Sequence, residues 1–141
     1  MTARHRLSWG SLLTVMVGGA AGVCARAAIT LPVAELGDAL LVPGVTLAIN
    51  VVGAFLLGLL IGRLGDRRRG IRLFLGTGVL GGFTTYSAFA VDAVGLFTAA
   101  PVVGLVLILI TLAGGTLAAV AGVRLGAPRS ARAPREPEAA S

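Results

Sequence analysis

Long apolar runs, interrupted by short charged or turn-forming segments, dominate the chain. Four of them cover residues 12–31, 44–62, 71–97 and 101–123. A helix needs about 20 mostly apolar residues to cross the hydrocarbon core of a bilayer, and each run meets that length. The pattern predicts an all-α membrane protein with four transmembrane helices. A cleaved leader fits poorly, because the first run exceeds the apolar core of about 7–15 residues typical of one and three more runs follow. Pro32 and Pro43 bound the first connection, and residues 63–72 form a tight basic loop. The short break near residues 98–101 makes the last two spans antiparallel neighbours.

The third run is not uniform. It contains GGFTTYSAF at residues 81–89. Two glycines weaken a helix, and the polar run Thr84, Thr85, Tyr86, Ser87 follows at once, so the third helix is expected to break at Gly81–Gly82. Irregular backbone is tolerated at membrane depth only where protein shields it or a cavity is lined by it. Carbonyls released at such a break can coordinate a cation. Tyr86 and Phe89 share a helix face, and aromatic ring edges carry partial positive charge, so an anion could pass along them. The alternative is a packed hinge whose hydroxyls are satisfied internally.

Composition and charge sharpen this picture. Of 141 residues, 56% are hydrophobic and 13% charged, about half the 25% usual for a soluble domain. The net charge of +6 raises nucleic-acid binding, but all 12 basic residues are arginine and nearly all flank the spans. Arg4 and Arg6 precede the first span; Arg63, Arg67, Arg68, Arg69 and Arg72 lie at the middle loop; Arg124, Arg129, Arg132 and Arg135 follow the fourth. The other two connections hold none, and the first carries Glu35 and Asp38. Positive residues favour the cytoplasmic side, which puts both termini and the middle loop there, in a multi-pass protein of the cell's inner (plasma) membrane. Residues 1–11 read as a basic leader with Trp9 at the interface, 12–123 as the membrane domain, and 124–141 as a disordered cytoplasmic tail. The single Cys24 excludes an internal disulfide, His5 stands alone, and no soluble catalytic domain fits outside the spans, so no enzyme is expected. The 21 glycines, mostly within spans, suit close helix packing.

Polar residues inside a span are costly and are functional candidates by default. Arg26 serves either as a snorkelling anchor or as a positive charge at a vestibule mouth. Asn50 follows Thr46 by one turn on the same face; it either bonds a neighbouring helix or donates to an anion in place of water. Asp92 must reach water or pair with a neighbour such as an arginine. Thr111 and Thr116 read as bonding back to their own helix.

Three motifs, in order, resemble the small fluoride channels of the Fluc family, also called CrcB proteins. GGAAGVCAR at 18–26 is similar to the family's GGxxGxxxR. TLAIN at 46–50, followed by Gly53, is similar to TLxxN. GGFTTYSAFAVD at 81–92 resembles GGxTTFSTFxxE and is the most specific of the three. The likeness spans nearly the whole chain apart from leader and tail. It implies an antiparallel, dual-topology dimer with two narrow pores, in which fluoride passes Tyr86 and Phe89 with Asn50, Thr46 and Ser87 on the pathway. It implies a central sodium ion held by the backbone carbonyls of Gly81 and Thr84 from both subunits, Arg26 at the vestibule, and Asp92 at the family's acidic position. The implied activity is passive export of cytoplasmic fluoride, which lowers its toxicity.

The chain also departs from that pattern. Tyr86 replaces phenylalanine, Ala88 a frequent threonine, Ala27 an aromatic and Val45 a glycine. Asp92 is shorter than glutamate, and Gly115 and Ala119 stand where hydroxyls are expected. An opposed homodimer needs a chain that inserts both ways, and the one-sided arginines argue against that. A heterodimer follows, with a homologous partner of reverse charge bias and one degenerate pore. The competing readings are a small four-helix multidrug or cation transporter, which would need an acid in the first span, and a non-transporting scaffold, which leaves Asn50, the polar run and Asp92 unexplained.

Overall fold

The computed structural model describes residues 8–64 and 68–128. The first helix, α1, spans Trp9–Ala34, and α2 spans Leu41–Leu64. The third span, Arg69–Ala99, divides into α3, residues 69–83, and α4, Tyr86–Ala99. The fourth span is α5, Pro101–Gly126. Among the described residues, these four spans are long and apolar enough to cross a membrane. Arg4, Arg6, His5, Arg67, Arg129, Arg132, Arg135 and the tail beyond residue 128 lie outside the described residues.

The helices overrun the apolar runs for identifiable reasons. Ser8 caps α1, its hydroxyl accepting from Ser11 N at 3.1 Å, so residues 9–11 are helical rather than leader. The helix continues through Pro32 to Ala34; the turn follows at Gly37, whose φ of 70° is the left-handed region glycine tolerates. Pro43 sits in the first turn of α2, where no backbone N–H is needed. Residues 124–126 belong to α5 rather than to the tail, because Gly126 packs against Leu59 and Gly62 of α2 and Ala127 N closes the last turn on Val123 O at 2.9 Å.

Two glycine seams hold the bundle. In the first, α1 lies on α3: a Cβ built at Gly18 would stand 2.6 Å from the Phe74 carbonyl, Gly22 faces the Val79 carbonyl, and Gly82 faces the Gly19 carbonyl. In the second, α2 lies on α5, where Gly58 faces the Ala119 carbonyl and Gly122 the Phe55 carbonyl. Backbones approach this closely only without side chains between them. Most of α3, Arg72–Leu80, is π-helical, a wider winding that recurs at functional sites.

The third span is broken, as the glycine pair and polar run predict. Gly81–Phe83 stays helical, and the break itself falls just beyond the pair. Thr84 (φ −77°, ψ 155°) and Thr85 (φ −148°, ψ 118°) are extended. Thr84 folds its hydroxyl back onto the Leu80 carbonyl at 2.9 Å, where its own N–H also bonds at 3.0 Å. Thr85 caps α4, its hydroxyl accepting from Ala88 N at 3.2 Å.

Candidate functional site

An extended residue inside a membrane helix leaves backbone groups that the ladder no longer serves. In a continuous helix Thr85 N–H would bond the Gly81 carbonyl. Here it donates instead to Asn50 Oδ1 at 2.9 Å, and Asn50 Nδ2 donates to the Thr85 carbonyl at 3.0 Å. The side-chain amide of α2 thus pairs both faces of one peptide residue, and the backbone fixes which end of the amide is oxygen. Asn50 retains one further Nδ2–H. Gly53, one turn on, makes room for the Thr84 methyl group.

The break frees a second carbonyl, that of Gly82, which would otherwise accept from Tyr86 N. Arg26 Nε reaches it at 3.4 Å, a long bond from a half-buried side chain. Arg26 is therefore turned toward the break rather than along α1 to the interface.

Two hollows flank this clamp. The first, about 270 Å³, is lined by Asn50, Thr84, Thr85, Tyr86, Phe89 and Thr111 with Leu112. The Tyr86 and Phe89 rings lie 6.1 Å apart at 53°, a tilted pair within the range of favourable aromatic contacts. Tyr86 is 81% exposed, so in the single chain one wall of this hollow is open. The second, about 280 Å³, is lined by Gly81, Thr84, Asn50, Gly53, Ala54 and Gly76 among others. Asn50 and Thr84 form the wall between the two.

The sequence-derived candidates divide accordingly. Asn50, Tyr86 and Phe89 meet at the first hollow, and Gly81 and Thr84 meet at the second. Thr46 is buried at 3% exposure and lines neither. Ser87 is exposed, outside both linings, with its hydroxyl 3.2 Å from that of Thr85. Asp92 forms no ion pair among the described residues, and its Oδ2 is buried without a hydrogen-bond partner; of the two readings, water or a neighbour such as an arginine, the arginine pairing is not made among the described residues. Thr111 was read as bonding its own helix, and it does so, to the Leu107 carbonyl at 2.7 Å. It also faces Phe89 across the first hollow, which no spacing within α5 signals.

The comparisons with known proteins cover the stretch that holds these positions. The family profile described as "CrcB-like protein, Camphor Resistance (CrcB)" matches residues 13–123. The chain belongs to the CrcB family. It is 49% identical over 124 residues to "Fluoride-specific ion channel FluC 2" of Leifsonia xyli subsp. xyli, covering 83% of each chain. It is 40% identical over 130 residues to the protein of that name from Corynebacterium jeikeium, covering 79% of this chain and 76% of the other. A third, from Bacillus licheniformis, is 37% identical over 130 residues, with 91% and 96% covered. For a CrcB chain the clamp, the aromatic pair and Arg26 all lie within the matched region.

Among the described residues no three of His, Cys, Asp or Glu converge. A cation near the break would rest on carbonyl oxygens, and the geometry supports that donor set. The Thr85 N–H is diverted from Gly81, and Thr84 is extended, so both carbonyls lie off the regular ladder beside one hollow.

Proposed function

We propose that this chain is a subunit of a passive, fluoride-selective channel, not an enzyme, that exports cytoplasmic fluoride and lowers its toxicity. The observation that carries the reading is the pairing of Asn50 with Thr85 beside the Tyr86–Phe89 rings. The naming of its relatives favours this over a small multidrug or cation transporter or a scaffold.

Fluoride is small and strongly hydrated, so entry requires donors that replace water. The Thr84 and Thr111 hydroxyls are poor candidates at rest, because they give their protons to Leu80 and Leu107 carbonyls. What remains at the first hollow is the second Nδ2–H of Asn50, the Tyr86 hydroxyl, the positive ring edges and the Thr85 hydroxyl, which accepts from Ala88 N and shares its proton only with Ser87. Thr111 could join them by rotating off its own helix. Arg26 draws anions toward the break, and Asp92 stands in α4 beyond the rings. A sodium ion, if bound, would supply fixed positive charge through the Gly81 and Thr84 carbonyls. The chain's own contribution there is to hold those carbonyls off the ladder.

The exposed Tyr86 and Gly81 support a dimer whose oppositely oriented partner closes both hollows. Eleven of the 12 arginines flank one side of the spans, which supports single-direction insertion, cytoplasmic termini in the cell's inner membrane, and a homologous partner chain of reverse bias. Fluoride efflux from liposomes, read with a fluoride electrode beside a chloride control, tests the reading. Efflux of fluoride but not chloride from the protein alone supports the channel and overturns the obligate heterodimer. Efflux only with a reverse-biased homologue supports both. Silence in both cases overturns the channel.

A further inference from the structure

Away from the clamp, α2 and α3 part at the end that carries the 63–72 connection. They leave a groove of about 480 Å³ lined by Leu59, Leu75, Val79 and Leu80 and by Arg63 and Arg68. Both arginines are exposed, and among the described residues neither guanidinium is engaged by a carboxylate or carbonyl. One end of the groove is thus cationic, at the membrane surface, and the rest is hydrocarbon.

What is missing from the lining decides the occupant. The two main helix seams inside this chain rest on glycine: Gly18, Gly22 and Gly82 between α1 and α3, Gly58 and Gly122 between α2 and α5. Membrane helices associate through such small residues. Apart from the two arginines, this groove is lined by leucine, isoleucine and valine alone. It offers no close backbone approach to another helix. The hollow on the other side of Leu60, about 760 Å³, does contain Gly76 and Thr77, and it shares Gly76 with the hollow at Gly81. Helix packing from a second subunit suits that side, and a flexible chain suits this one.

We propose that the groove between α2 and α3 holds an anionic phospholipid, its phosphate on Arg63 and Arg68 and an acyl chain along Leu59, Leu75, Val79 and Leu80. Basic pockets between membrane helices are recognised sites for acidic headgroups, and two guanidiniums near the surface favour an anionic over a zwitterionic lipid by about thirtyfold. The site does not depend on which ion the protein conducts.

The test is native mass spectrometry of the full chain released from detergent, titrated with phosphatidylglycerol or phosphatidylcholine. Phosphatidylglycerol is expected to be retained with about thirtyfold preference. The exposed pair Arg63→Gln/Arg68→Gln should bring it to the phosphatidylcholine level, and Leu75→Trp should weaken both lipids by narrowing the groove. Arg69→Gln, on the opposite hollow, should change nothing. Glycerol 3-phosphate, which has no chain, should not compete. Equal retention of the two lipids, unchanged binding in the charge pair, or equal loss in Arg69→Gln overturns the proposal. So does a Leu75→Trp chain that binds lipid normally but loses an oligomer, because the groove is then a subunit seam. If Leu75→Trp fails to fold by circular dichroism, the charge pair decides.

Discussion

Along the seam of α2 and α5, backbone meets backbone: Gly58 lies against the Ala119 carbonyl, Gly122 against Phe55, Gly126 against Leu59. At Thr84–Thr85, backbone meets side chain: Asn50 takes both polar groups of Thr85, and Arg26 takes the Gly82 carbonyl. Both regions lie in spans where no water serves unpaired peptide groups. The seam keeps its ladders intact, so it needs only shape, and the α5 hydroxyls, Thr111 and Thr116, bond within their own helix. The break gives up its ladder and must import partners from α1 and α2. The polar atoms left over after that repair, such as the last Nδ2–H of Asn50, are the ones free to meet an ion.

Removing the repair gives the largest expected effect. Asn50→Leu leaves the Thr85 N–H and carbonyl unpaired in an apolar surrounding, at about 1–3 kcal/mol for each group. Thermal unfolding in detergent should report the loss, and fluoride efflux should fall with it. An Asn50→Leu protein as stable as the original would mean that water or a neighbour serves Thr85, and the clamp would lose its structural role.

The seam should break by shape alone. Gly58→Val drives a side chain into the Ala119 carbonyl and should cost about 1–3 kcal/mol by overpacking. Gly115→Ala, on the same α5 but with open space around its Cβ position, should stay within about 0.5 kcal/mol. Equal effects at the two glycines in thermal unfolding would mean that helix propensity, not close approach, accounts for both.

The two regions also differ in how readily the sequence discloses them. The spans and the existence of the break follow from apolar run length and from Gly81, Gly82 and the polar run after them. The position of the break does not, because Gly81–Phe83 remains helical against Gly19 and the chain opens only where Asn50 can receive it. That pairing joins residues 35 positions apart, so no local spacing encodes it; Asn50 alone suggested a buried bond without naming the partner. The π-helical winding of Arg72–Leu80 is silent for a different reason: in a run that is apolar on all sides, a change of helical period alters no polar pattern. Thr46 shares the helix face of Asn50, and the family resemblance adds Ser87 to the pathway. Burial and a neighbouring hydroxyl set them apart.

Tyr86 should give the smallest effect on stability and so separates function from fold most cleanly. Its ring is 81% exposed, and its hydroxyl makes no hydrogen bond among the described residues. Tyr86→Phe therefore removes no internal contact, and the unfolding midpoint should move by no more than a surface substitution does, within about 0.5 kcal/mol. The ring pair with Phe89 is kept. Any change in fluoride efflux must then come from the hydroxyl, which either donates to the passing anion or offers lone pairs that repel it. Slower efflux in Tyr86→Phe assigns the donor role; faster efflux assigns an obstacle and makes this chain the weaker wall of a shared pore. Unchanged efflux with unchanged stability would move the anion path off Tyr86 and leave Asn50 and Phe89 to carry it.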